Sequence, residues 1–277
     1  MIKRLIQAAI GWNGKTEREK YVLRYRASSL AAHVLSLLPL PLWWLFRVFG
    51  SDKHTPGWHS YGHSYGAAFR RWKYCRVKLL EIGIGGYADS LGGRSLLAWQ
   101  AFFPFGNIIA ADIVPKPELA GGRRQIVELD QSSVPQLAAL RDREAPFDVI
   151  IDDGSHFNAH QILTFQQMFG ALKDGGIYVV EDVQTSFWPG LVADVEWDGA
   201  GIADPAFAGT CYGYFLELAK YVNHAEFLDS AHTDPALLVF GKQVRRIAFE
   251  HNLILLEKGN NTEASTFVRR QPANRHG

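Results

Sequence analysis

The stretch IIDDGSH (150–156) places two adjacent carboxylates, a glycine, a serine and a histidine where an apolar run, FDVI, gives out. Adjacent acids repel, so a chain seldom sets Asp152 beside Asp153 at the edge of a core without a purpose. A second pair, Glu181 and Asp182, closes the run IYVVED (177–182). Single acids mark the ends of three more runs: Glu81 in VKLLEIG (77–83), Asp112 in NIIAAD (107–112) and Asp130 in RQIVELD (124–130). Any one of them could be a helix N-cap. An acid at every run end points to a binding function for the group.

The elements that must position these acids follow from the pattern around them. Short apolar runs alternate with segments that read as helices: 92–103, 133–143 and 158–176. That alternation predicts an α/β fold, a Rossmann-like, doubly wound and mostly parallel sheet. VRRIAFE and LILLEKG flank His251 and Asn252 and read as an antiparallel C-terminal hairpin. In an open parallel sheet, ligands bind beyond the carboxyl ends of the strands, where all of these acids lie. Three parts are expected: an apolar helical N-terminal extension (1–50), one catalytic domain (51–260) and a tail (261–277).

Between the first strand and the first helix of the sheet lies Glu81-Ile82-Gly83-Ile84-Gly85-Gly86-Tyr87. Glycines there allow a tight turn and close approach of a ligand to the backbone. The spacing is not GxGxxG, and no P-loop is present, which disfavours NAD and ATP. A carboxylate at Asp112 can accept two ribose hydroxyls, and Asp130 ends the strand on the adenine side. Glycine loop and acids together suggest an adenosine ligand.

The totals exclude some classes. Lys and Arg number 29 against 28 Asp and Glu, so no bulk field draws the chain to nucleic acid. Cys75 and Cys211 lie far apart without a CxxC partner, which argues against zinc or a disulfide framework and fits a reducing cytoplasm. The first 20 residues lack the features of a secretion signal. Residues 28–50 are strongly apolar but interrupted by His33, Pro39, Pro41 and Arg47. Two prolines predict two helical pieces, a buried cap or dimer face, with peripheral membrane contact through 28–50 or a true membrane span as the alternatives.

Seven stretches together resemble the macrolide-sugar O-methyltransferases of the class I S-adenosylmethionine-dependent group. They are DKHTPGWHSYGHSY (52–65), LLEIGIGGYADSLGGRSLLAW (79–99), AADI (110–113), ELDQS (128–132), IIDDGSHFNAHQILTFQQMF (150–169), YVVEDVQTSFWP (178–189) and NLILLEKG (252–259). IDDGSH paired with EDxxTSxW is far more specific than the glycine loop. The resemblance implies a Mg²⁺ beside the methyl donor, with ligands carried over to Asp153, Glu181 and Asp182 and a general base at His156. The chemistry agrees. A sugar hydroxyl is a poor nucleophile, hard oxygen ligands suit Mg²⁺, and a nearby imidazole can take the proton. Asp152 is then expected to face the cofactor, unless it caps the next helix. Glu81, Gly83, Gly85, Tyr87, Ser95, Asp112, Asp130, Gln131 and Ser132 complete the expected S-adenosylmethionine contacts.

The acceptor implied is a sugar-containing small molecule or oligosaccharide. It belongs to a glycosylated natural product or to a bacterial envelope or storage glycan. A homo-oligomer is expected. Aromatics in TSFWPG (185–190) could stack on a sugar ring, and the 191–210 run reads as a mobile substrate loop. Two other classes compete. A catechol or phenol O-methyltransferase shares the metal logic, and a non-catalytic adenosyl-ligand binding protein would need only the cofactor half.

Overall fold

The structure, a computed structural model, describes residues 12–86, 90–228 and 233–265. Helix α1 (Glu17–Leu35) starts at a capping box, with Thr16 and Glu19 satisfying each other's backbone donors. A turn containing both prolines separates it from α2 (Leu42–Phe49), which ends at Gly50 in the left-handed conformation. The apolar 28–50 stretch is thus two helical pieces, as the prolines predict. No helix among the described residues is long and apolar enough to cross a membrane. Helix α3 (Tyr61–Phe69) leads to β1 (Lys78–Ile82), α4 (Arg94–Phe102), β2 (Asn107–Asp112), β3 (Arg124–Glu128), α5 (Val134–Glu144) and β4 (Phe147–Asp152). Helix α6 (Asn158–Met168) and β5 (Leu172–Glu181) follow. A hairpin of β6 (Pro189–Val192) and β7 (Val195–Asp198) precedes α7 (Cys211–Tyr221) and α8 (Pro235–Gly241), and β8 (Val244–Glu250) and β9 (Leu253–Lys258) close the chain.

Seven strands form one sheet in the order β3-β2-β1-β4-β5-β9-β8. Pairings β1–β2, β1–β4 and β2–β3 are parallel, whereas β9 runs antiparallel to β5 and β8 to β9. This is the doubly wound sheet with a C-terminal hairpin that the alternating pattern predicts. Two expectations are corrected. Residues 172–176 extend β5 rather than end a helix; Gly175, at a φ of 78°, lets the strand bend there instead of stopping. The 191–210 run is structured: it holds most of the β6–β7 hairpin and a 3₁₀ turn, Pro205–Gly209.

The chain divides into two compact units, Met1–Leu140 with Val149–Gly154, and Arg141–Asp148 with Ser155–Gly277. In the first unit α1 and α2 pack on α4. Its core centres on Trp99, ringed by Phe46, Tyr65, Phe69 and Phe103 at centroid distances of 4.9–6.4 Å. Burying such rings stabilises by roughly 1.5–3 kcal/mol each. α1 is tied down by Tyr21 and Tyr25, whose hydroxyls donate to the carbonyls of Gly92 and Gly93 at 2.7 and 3.0 Å. The second unit centres on Phe165, packed against Phe169, Tyr178, Phe215 and Phe240. Outermost strand β8 carries exposed Arg245 and Arg246, and its pairing to β9 shifts register between Val244 and Arg246.

Candidate active site

The glycine loop leaves β1 under tight constraint. Gly83 has a φ of 81°, and a Cβ there would lie 1.9 Å from the carbonyl oxygen of Asp153. Only glycine lets the end of β1 lie this close to the loop after β4. Gly85, at a φ of 61°, is exposed, and a Cβ on it would meet nothing within 4 Å. The loop is therefore packed on one side and open on the other. Tyr87 lies outside the described residues.

Asp112 ends β2 with both oxygens engaged. Oδ2 accepts from the Ile84 amide at 3.1 Å and from Lys116 Nζ at 2.8 Å, and Oδ1 accepts from the Val114 amide at 2.9 Å. Lys116 also donates to the Gly85 carbonyl, so it clips Asp112 to the glycine loop. Asp130 lies two residues beyond β3. Its Oδ1 accepts from the Ser132 amide and hydroxyl at 2.9 and 2.7 Å. Ser132 is exposed, while Gln131 is buried and donates from Nε2 to Asp152 Oδ1 at 2.5 Å. A Cβ on Gly154 would collide with Gln131 Oε1 at 2.2 Å. The fully buried Asp152 is thus held from the β3 side.

Glu81 sits deeper than a ligand contact needs. It is wholly buried, and Oε2 accepts from Ser95 Oγ at 2.9 Å and Trp99 Nε1 at 3.1 Å. Oε1 lies 3.2 Å from Lys53 Nζ, which also donates to Asp153 Oδ2 at 2.6 Å. Burial pushes the Glu81 carboxyl up to about 7, against the pull of Lys53. Neither Lys53 nor Lys116 was expected from the sequence to be part of the site. Lys53 does fall in the stretch DKHTPGWHSYGHSY that carries the resemblance, and Lys116 follows Asp112 by four positions, so each left a signal.

In the second unit, His156 and Asp182 both adopt the left-handed backbone, at φ of 60° and 56°. Residues other than glycine seldom do so, and such conformations cluster where a site constrains the chain. His156 Nε2 lies 3.6 Å from Asp182 Oδ2. Nδ1 of His156 is buried without a hydrogen-bond partner among the described residues. Thr185 Oγ1 donates to the His156 carbonyl at 2.7 Å and so ties the TSFWPG segment to the IDDGSH loop. Glu181 is buried at the end of β5, and its carbonyl accepts from Gln161 Nε2 at 2.8 Å.

Helix α6 has its cap from the β6–β7 hairpin rather than from Asp152. Asp198 Oδ1 accepts from the Asn158 amide at 2.9 Å and its Nδ2 at 2.8 Å, while Oδ2 accepts from the Ala159 amide at 3.0 Å. Burial pushes the Asp198 carboxyl up, but these bonds outweigh it and hold it below the usual range. Trp197 packs against Phe157 and Trp188 at 5.3 and 5.8 Å, an aromatic cluster beside the His156 loop.

No protein-family model matches the chain. It is similar to mycinamicin VI 2''-O-methyltransferase of Micromonospora griseorubida, 35% identical over 207 residues that make up 74% of this chain and 49% of that protein. It is also 36% identical over 214 residues to the 8-demethyl-8-alpha-L-rhamnosyl tetracenomycin-C 2'-O-methyltransferase of Streptomyces olivaceus, covering 77% of this chain and 53% of that one. Among solved structures, the MycE methyltransferase of the mycinamycin pathway with Mg, SAH and mycinamycin VI superposes with a TM-score of 0.72 at 33% identity. That match covers 84% of this chain and 57% of the other. The chain spans about half the length of the relatives it matches.

Proposed function

The homologues of this chain are macrolide and other sugar O-methyltransferases, and its fold is that of the class I S-adenosylmethionine-dependent methyltransferases; from that premise we propose that it methylates a sugar hydroxyl. The donor is S-adenosylmethionine and the acceptor a glycoside, oligosaccharide or glycosylated natural product. The observation that carries this reading is His156 beside Asp182, both held in left-handed backbone at the ends of the IDDGSH and IYVVED runs.

The cofactor half is built from Gly83, Gly85, Asp112, Asp130, Gln131, Ser132 and Asp152, with Glu81 and Ser95 bracing the loop from beneath. Asp112 is the ribose acid, and Lys116 must yield part of its hold on Asp112 for that role. The donor set fits a hard divalent cation. Within the second unit His156 Nε2 lies 3.6 Å from Asp182 Oδ2, and Glu181 and Asp182 offer carboxylate oxygens of the kind a hard divalent cation takes. Asp153, Glu181 and Asp182 would hold Mg²⁺, which leaves His156 for the proton. When bound, Mg²⁺ lowers the pKa of a coordinated hydroxyl and fixes its direction.

The imidazole of His156 takes the hydroxyl proton as the oxygen bonds to the donor methyl carbon. The carbon–sulfur bond breaks, its electron pair passes to sulfur, and neutral S-adenosylhomocysteine leaves. An in-line displacement gains much of its rate from alignment, so the constrained backbone at His156 and Asp182 serves the chemistry directly. Trp188 and Trp197 are suited to the apolar face of a sugar ring.

Labelled-methyl transfer tests the reading, with a panel of glycosides, oligosaccharides, glycosylated macrolides and catechols, each with Mg²⁺ or EDTA. Transfer to a glycoside that EDTA abolishes is the expected result. Preference for catechols would replace the sugar reading, and cofactor binding without transfer to any acceptor would favour a binding protein. Leu30, Val34, Leu37 and Leu38 form an exposed apolar face, which suits either a homo-oligomer or a peripheral membrane contact. Light scattering and vesicle sedimentation separate the two. A cytoplasmic setting is proposed on the cysteine usage, two cysteines far apart in sequence with no CxxC pairing.

A further inference from the structure

Lys53 is 1% exposed, and its ammonium lies within the first unit between two carboxylates. It donates to Asp153 Oδ2 at 2.6 Å and forms an ion pair with Glu81 Oε1 at 3.2 Å. A buried lysine is costly unless such partners compensate it. Each partner is itself fixed. The other oxygen of Glu81 accepts from Ser95 and Trp99, and the backbone amide of Asp153 donates to the Ile82 carbonyl at 2.8 Å. The loop that carries Lys53 is fixed as well. Thr55 Oγ1 donates to the Ser51 carbonyl at 2.8 Å, and Arg94 Nη1 donates to the Phe49 carbonyl at 3.2 Å. One oxygen of Asp153 is therefore held by a buried cation that is itself paired with Glu81.

We propose that Lys53 is a specificity-determining residue of the metal site: by holding one oxygen of Asp153, it makes Asp153 a one-oxygen ligand and selects a small six-coordinate cation over Ca²⁺. The proposal rests on the reading that Asp153 is a metal ligand. Its physical basis is coordination chemistry. Mg²⁺ and Mn²⁺ favour octahedral sites with one oxygen per carboxylate. Ca²⁺ is larger, tolerates irregular geometry and often takes both oxygens of one carboxylate. A side chain that removes the two-oxygen option penalises Ca²⁺ more. Lys53 also contributes its positive charge, but that repels all divalent cations alike. The ratio of affinities therefore isolates the geometric effect.

Mn²⁺ binding followed by electron paramagnetic resonance, with Ca²⁺ as competitor, tests this without any turnover. The wild-type protein should prefer Mn²⁺. Lys53→Met should lower that preference by about tenfold, the usual scale for groups that orient metal ligands. Lys53→Arg, which keeps the ion pair, should retain it. Lys53→Met leaves Glu81 buried without its cation, so Lys53→Met combined with Glu81→Gln gives the same comparison without that orphaned charge. An unchanged ratio in Lys53→Met or in its combination with Glu81→Gln, whichever folds, overturns the proposal, even if Mn²⁺ affinity itself moves. A wild-type protein that binds Ca²⁺ as tightly as Mn²⁺ overturns it without any variant. Asp153→Asn separates the premise: Mn²⁺ affinity unaffected by it would show that Asp153 is not a ligand and that the metal reading itself has failed.

Discussion

Replacing Glu81 with glutamine should remove a pH dependence of stability that the buried carboxyl imposes. The ordinary value for this acid is 4.5, and burial pushes it up to about 7 in the folded chain. Folding therefore binds a proton between those values. Stability from this source is fully present below pH 4.5, falls as pH rises, and is lost once pH passes about 7. A shift of that size corresponds to about 3 kcal/mol, as one pKa unit is worth roughly 1.4 kcal/mol. Glutamine keeps an oxygen for the Ser95 and Trp99 donors but cannot titrate. Urea unfolding of both proteins at steps from pH 4.5 to 8 would measure the difference, since all other titrating groups are shared. The wild type should lose about 3 kcal/mol relative to Glu81→Gln across the window. A constant difference, or one that favours the wild type as pH rises, would refute the reasoning.

His156→Ala should cost about two orders of magnitude or more in kcat, with cofactor affinity by calorimetry nearly unchanged. Gly83→Ala should destabilise by more than about 2 kcal/mol in thermal unfolding, because a Cβ has only 1.9 Å to the Asp153 carbonyl oxygen and the φ is 81°. Asp198→Ala removes the α6 cap and should cost about 1 kcal/mol at pH 7 in urea unfolding. Because the Asp198 carboxyl is held low, that difference should persist through mildly acidic pH and vanish only as pH falls through its depressed value.

Much of the fold was legible because its signals are local. β2 and the start of β3 follow from short apolar runs, and the two prolines break the apolar 28–50 stretch where the structure breaks it. The position of the IDDGSH and ED pairs is legible for a related reason: each closes an apolar run, and β4 and β5 end there. What was hidden depends on long-range meetings. Lys53 reaches Asp153 across 100 residues of chain, and Asp198 caps a helix that begins 40 residues earlier. A lone lysine in a turn gives no sign of its partner. Polar composition also misleads at 191–210, because a hairpin with alternating exposure is polar without being loose.

The outer strand β8 bears on how copies of this chain can meet. The free edge of a sheet invites a further strand, and proteins discourage this with charge and irregularity. β8 has both, in exposed Arg245 and Arg246 and in the slipped register beside Val244. A second sheet added there would face two guanidinium groups and a backbone out of step with its own. Pairing of a further strand at this border is thus discouraged by charge and by broken register together.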